Sequence, residues 1–288
     1  MHLNVLGPFE LRGPNGEEIA FPSKKAQALL AYLATEQQRK TTREQLATLL
    51  WSRTGDERAR HNLRQALSKI RTCCGDLVTA QDATVAFNQV ACQADVIEFE
   101  RLVASDDPDE LGRGLALFRG DLLEGYAPRE PACDEWLLLA RSRLRRLACE
   151  TNDRYVRALI DRERFEEAIA GLNRRLEMDP ACEPAHAQLM QLLARAGRRS
   201  DALRQYQRCT QALERELGVG PCAETRAVYL AIRDTASVVG ESPAQGGKNQ
   251  GAQPPRARPT VAVLPFDNLA NPADGYFVDG MVEELITA

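Results

Sequence analysis

Residues 58–71 carry five cations, Arg58, Arg60, Arg64, Lys69 and Arg71, and no acid. Among them stand His61, Asn62, Gln65 and Ser68, whose side chains offer the donors and acceptors that base edges display. Phosphates attract guanidinium and ammonium groups, while Arg can bond guanine with two donors and Gln or Asn can bond adenine with an amide. This stretch is therefore suited to holding and reading a nucleic-acid duplex. Arg58, His61, Arg64, Gln65, Ser68 and Lys69 are expected to face the groove of the duplex, with Asn62 flanking them. Arg60 and Arg71, with Thr42 and Arg43 from the preceding segment, are expected on phosphates.

Such side chains work only if an element aims them together. Ala59, Leu63, Ala66, Leu67 and Ile70 recur at helical spacing, so at about 100° per residue they form one apolar stripe and the polar set falls on the opposite face. Gly75 ends this helix. Two helices precede it. Ser23 is placed to cap one carrying Ala26, Leu29, Leu30 and Leu33, and Thr42 to cap one carrying Leu46, Leu49 and Leu50 that ends near Trp51. Before them, LNVLGPFELRGPNGEEIAF reads as short strands of a small antiparallel sheet broken at Gly7-Pro8 and Pro14-Asn15-Gly16. After them, LVTAQ and TVAFN form a hairpin across Asp82-Ala83. Strands, three helices and a hairpin make a winged helix-turn-helix over residues 1–97.

A net charge of −4 over 288 residues argues against nucleic acid until its distribution is read. Residues 1–97 hold 12 Lys/Arg against 10 Asp/Glu, and residues 98–288 hold 25 against 31. Only the first part is suited to DNA. No apolar run is long enough to span a bilayer and no secretory leader is evident, so a cytoplasmic protein without membrane contact is expected.

Residues 98–236 read as almost wholly helical, with a long amphipathic stretch through Trp136, Leu144, Leu147, Tyr155 and Leu159. RFEEAIAGLNRRL (164–176) aligns with RRSDALRQYQRCT (198–210) at a spacing of 34, pairing Ala168 with Ala202 and Leu172 with Tyr206. That is the tetratricopeptide (TPR) period. Pro180 follows the first of these helices, whereas Pro221 comes seven residues later than its equivalent would, so the second helix should be longer. Residues 237–259 hold eight Gly or Pro among 23 and read as a flexible linker. Residues 260–288 are too few for a domain core and read as the start of a third module. The expected fold class is mainly α with a small β component: a winged helix-turn-helix, then an all-α TPR-like repeat domain.

The string LATLLWSRTGDERARHNLRQALSKIR resembles the DNA-binding domain of SARP-type antibiotic-regulatory activators, itself similar to the OmpR-type winged helix. The resemblance continues through ADVIEFERL, ALFRGDLLEGY and DEWLLLARSRLRRL into the helical repeats, which resemble the bacterial transcriptional activator domain of that family. It departs in the wing, where TVAFNQVACQ lacks the usual glycine-tyrosine. The tail AVLPFDNLANPADGYFVDGMVEELITA resembles the beginning of a TolB-like domain. The resemblance implies a regulator that binds promoter DNA on directly repeated half-sites, self-associates and contacts RNA polymerase to activate transcription. The rival reading is a TPR-type scaffold whose winged helix binds protein.

Catalysis finds no support. GGKN at 246–249 is no phosphate loop, because GxxxxGK would need glycine where Ser242 stands, and neither GxSxG nor HExxH occurs. Acid pairs such as Asp106-Asp107 and Glu166-Glu167 read as helix-terminal or solvated charges. Eight cysteines without a CxxC pair, and His2, His61 and His186 away from ligand spacing, point to mostly buried reduced thiols and to no metal or cofactor.

Overall fold

A computed structural model describes residues 1–234 apart from Pro22, residues 38–40 and Asp82. The linker expected at 237–259 and the TolB-like module expected to begin at 260–288 lie outside the described residues. The fold is mainly α with two small sheets, as expected.

The expected strands open the chain. β1 (His2–Asn4) pairs antiparallel with β2 (Glu10–Arg12), Leu3 opposite Leu11. Ser23 Oγ accepts from Ala26 N at 3.2 Å and starts α1 (Lys24–Thr35), whose Ala26, Leu29, Leu30 and Leu33 are all buried. β3 (Thr41–Thr42) leads into α2 (Arg43–Trp51), where Thr42 and Gln45 cap each other reciprocally. Next come α3 (Asp56–Cys74) and the hairpin of β4 (Val78–Gln81) and β5 (Thr84–Phe87). β5 also pairs with β3, giving the order β3-β5-β4. The first sheet is not wholly antiparallel, because β6 (Gln93–Ala94) adds to β1 in parallel, Leu3 beside Ala94. A strand of two residues carries no local alternation, so only the long-range pairing reveals it.

The helical part comprises α4 (Asp95–Val103), α5 (Pro108–Leu117), α6 (Pro131–Asp161), α7 (Phe165–Met178), α8 (Glu183–Arg195), α9 (Arg199–Leu217) and α10 (Ala223–Asp234). The boundary expected at 97/98 falls inside α4. The apolar cores change over within α6 instead: Cys133, Leu137, Leu144 and Ala148 belong to the core that also holds Leu3, Leu30, Leu63 and Phe99, whereas Val156 and Leu159 join Ala168, Leu172, Leu189 and Ala202. A 31-residue helix is about 46 Å long, enough to serve both. The loop before it hydrogen-bonds to the end of β1, with Leu123 N donating to Val5 O at 2.8 Å. Leu123 sits at φ 51°, unusual for a side-chain-bearing residue, and the Arg141 guanidinium donates to the carbonyls of Leu122, Leu123 and Tyr126 at 2.8, 2.8 and 3.2 Å.

The repeat is present as read. Ala168 and Ala202 are fully buried where small side chains let helices close, and α9 is longer than α7, ending at left-handed Gly218. His186 braces α8, its Nε2 donating to Pro180 O at 3.0 Å while Nδ1 accepts from Gln205 Nε2 at 2.7 Å. Burial lowers the pKa of His186. The unfolded chain then takes up a proton at this position more readily, so the brace contributes fully above about pH 6.5 and its contribution is lost as pH falls below that. Thermal melting should show a larger fall between pH 7.5 and 5.5 in the native chain than in His186→Leu; parallel curves would exclude this linkage.

Of the eight cysteines, Cys74, Cys92, Cys133 and Cys209 are buried, Cys149 and Cys182 half-buried, and Cys73 and Cys222 exposed, all of them free thiols. The acid pairs behave as read. Asp107 caps α5, Asp106 pairs with Arg154 at 2.7 Å, and Glu166 and Glu167 pair with Arg198 and Arg164 at 3.7 and 2.6 Å.

Candidate nucleic-acid interface

The α2–α3 unit is fixed at both ends by local chemistry. Gln45 N donates to Thr42 Oγ1 at 3.2 Å and Thr42 N to Gln45 Oε1 at 2.8 Å, while Arg43 N donates to Ala83 O at 2.9 Å and so ties the start of α2 to the hairpin turn. Helix α3 ends where Gly75 adopts φ 66° and returns its N–H to Arg71 O at 3.0 Å. Its buried stripe is Ala59, Leu63, Ala66 and Ile70, with Leu67 half-buried at the margin. Arg58, Arg60, His61, Arg64, Gln65, Ser68, Lys69 and Arg71 are exposed, and Asn62, Thr42 and Arg43 are half-buried.

At about 100° per residue these side chains divide into two edges about a crest. His61 and Ser68 lie opposite the buried stripe. Arg60, Arg64 and Arg71 fall on one side, toward α2 and the hairpin. Arg58, Asn62, Gln65 and Lys69 fall on the other. The first edge borders two adjoining hollows. One is walled by Arg43, Arg64, Ser68 and Arg71 against Val78 and Ala80 of β4. The other is walled by Thr42, Arg43, Glu44, Arg60 and Arg64 against Ala83. Arg43 and Arg64 line both, so helix and hairpin share one cationic trough. The residues of the second edge line neither hollow, and Arg58 and Lys69 stand 11 residues, about 16 Å, apart along α3.

From the second edge, Gln65 Nε2 reaches Nε2 of His61 on the crest at 2.8 Å. The amide nitrogen only donates, so the ring nitrogen accepts, and Gln65 retains an acceptor oxygen and a second N–H beyond this bond. Arg60 reaches Glu44 at 3.5 Å and Arg71 reaches Asp76 at 3.4 Å, both pairs mostly exposed and weak in water. Two features escaped the sequence reading. Glu44 places a carboxylate at the rim of the trough, a position set by the packing of α2 on α3. The hairpin supplies the second wall through Val78 and Ala80, whereas its alternation alone does not say which face meets α3.

Among the described residues, no group of three or more His, Cys, Asp or Glu could hold a metal ion. No helix of the described residues is long and apolar enough to cross a membrane.

Residues 90–233, half of the chain, match the bacterial transcriptional activator domain. The chain belongs to that family. The regulatory protein AfsR of Streptomyces coelicolor is 26% identical over 242 residues, covering 77% of this chain and 23% of that protein. A protein of Rhizobium meliloti named putative adenylate cyclase 3 is 51% identical over 43 residues, 14% of this chain and 7% of that one. A solved structure of Mycobacterium tuberculosis EmbR, in complex with a low-affinity phosphopeptide, superposes with a TM-score of 0.59 at 22% identity, over 81% of this chain and 65% of that chain. The chain thus spans well under a third of the two curated relatives. These matches bear out the SARP-type resemblance, and the EmbR likeness carries the fold. The activator-domain match begins at residue 90, so it takes in β6 and the whole of α4, which the sequence boundary had divided.

Proposed function

We propose that the chain is a sequence-specific DNA-binding transcription regulator, an activator that reads promoter repeats through α3 and engages RNA polymerase or a second copy through its helical repeats. One observation carries this reading: the exposed face of α3 bears five cations and no acid from residue 58 to residue 71, and it forms a trough with the hairpin of a winged domain joined to an activator domain. Arg58, His61, Arg64, Gln65, Ser68 and Lys69 are assigned to base edges. Arg60, Arg71, Thr42 and Arg43 are assigned to phosphates, and Asn62 to the flank. The described hairpin residues 78–81 and 83–87 contain no cation, so phosphate attraction rests on α3 and the start of α2.

Selection of duplexes by the whole chain at about 150 mM salt tests the reading, since non-specific binding weakens steeply with salt. Recovery of a direct repeat is the expected result. A palindrome would replace head-to-tail binding with two-fold symmetry, and no enriched sequence would favour the protein-binding scaffold. Transcription in vitro with purified polymerase tests activation; unchanged transcript from a bound promoter would overturn it.

The phosphate assignment has its own signature. Arg71→Ala should weaken binding to cognate and random duplexes alike and lower the salt slope by about one, whereas Lys69→Ala, on a base, should weaken the cognate site selectively. The reverse pattern, read from affinities at several salt concentrations, would exchange the two roles.

A further inference from the structure

Glu130 is the residue before α6 and is only 7% exposed. A Ser, Thr, Asp or Asn in that place ordinarily bonds the free N–H groups of its own helix; Glu130 makes no such cap. Its carboxylate reaches the winged domain instead. Ser52 Oγ donates to Oε2 at 2.8 Å, Arg53 N donates to the same oxygen at 3.1 Å, and Lys25 Nζ donates to Oε1 at 2.8 Å. Ser52 and Arg53 form the turn between α2 and α3, and Lys25 lies over the Trp51 ring at 5.3 Å from its centre. Burial alone would push the Glu130 carboxyl up, but the bonds from Lys25, Ser52 and Arg53 outweigh it and hold it below the usual carboxylate range. The turn that sets the angle of α3 is therefore held by a charge belonging to the activator domain.

We infer that Glu130 is a positioning residue for sequence readout: the activator domain grips the helix-turn-helix turn through this carboxylate and so fixes how α3 lies in the groove. This rests on the DNA-binding reading above. Base contacts require α3 in one register, whereas attraction between cations and phosphates tolerates displacement. Loosening the turn should thus cost discrimination rather than bulk affinity.

The test measures affinities of whole-chain variants for two probes, the duplex selected by the native chain and a random-sequence duplex. Glu130→Ala should lower the ratio of the two affinities about tenfold, with the random duplex bound as before. Ser52→Ala, which leaves the core untouched, should lower it about threefold, and the double variant no further than Glu130→Ala alone. Glu130→Gln, which keeps an oxygen for Ser52 and Arg53, should restore most of the ratio. Equal losses on both probes mean a role in folding only and overturn the inference, as does an unchanged ratio. If the native chain selects no sequence, the DNA reading itself fails. Hydrogen exchange then decides the tether: exchange at residues 51–55 should quicken in Glu130→Ala while α8 is unaffected, and unchanged exchange would refute it.

Discussion

Arg64→Ala is expected to weaken binding to the selected duplex by about 1–3 kcal/mol, roughly 5- to 150-fold, while the melting temperature stays at the native value. Of the cations on α3, Arg64 alone borders both hollows of the trough, beside Arg43 in each. Its side chain is exposed and lies off the apolar stripe of Leu63 and Ala66, so truncation opens no cavity. Arg64→Lys keeps the charge but not the two-pronged donor, and should recover affinity for random DNA without recovering the preferred base. Gel-shift titration of the native and substituted sites distinguishes these outcomes. Undiminished cognate binding by a folded Arg64→Ala chain would remove this residue from the base-reading set.

The second large effect concerns stability. Asp95 begins α4, is buried, and accepts from Val5 N with both oxygens and from Leu6 N with Oδ2, each at 2.9 Å. Truncation leaves two buried donors unsatisfied at about 1–3 kcal/mol each, so Asp95→Ala should lose about 3 kcal/mol in denaturant unfolding at pH 7. Burial pushes the carboxyl up to about 6 against the pull of those backbone donors. A folded-state pKa above the unfolded value favours folding at low pH, and that advantage is lost as pH rises through 6. The difference between native chain and variant should therefore narrow from pH 4 to pH 7. A variant within about 0.5 kcal/mol of the native chain would show that the Val5 and Leu6 amides find other partners.

Asp95 and Glu130 also mark the limit of what could be read in advance. The helices were legible because their causes lie within one turn of chain: Ser23 caps three residues ahead, Thr42 and Gln45 cap each other, and Ala59, Leu63, Ala66 and Ile70 repeat at helical spacing. The duplication at a spacing of 34 was legible for the same reason, since each unit repeats its own local pattern. The carboxylates were not. Asp95 bonds amides 89 and 90 residues away, and Glu130 bonds partners 77, 78 and 105 residues away. Nothing in the neighbourhood of either residue distinguishes it from the solvated acids around it.

The sequence by itself determined that α3 exists, which of its faces is apolar and which cations share the other, because a helix places side chains by a fixed rotation per residue. Tertiary structure decided that Arg64 and Arg71 share a hollow with Val78 and Ala80 of the hairpin, that β6 completes the first sheet, and that the two cores exchange within α6. Those outcomes depend on surfaces meeting across long stretches of chain, where burial and hydrogen bonding select among packings that local spacing leaves equivalent.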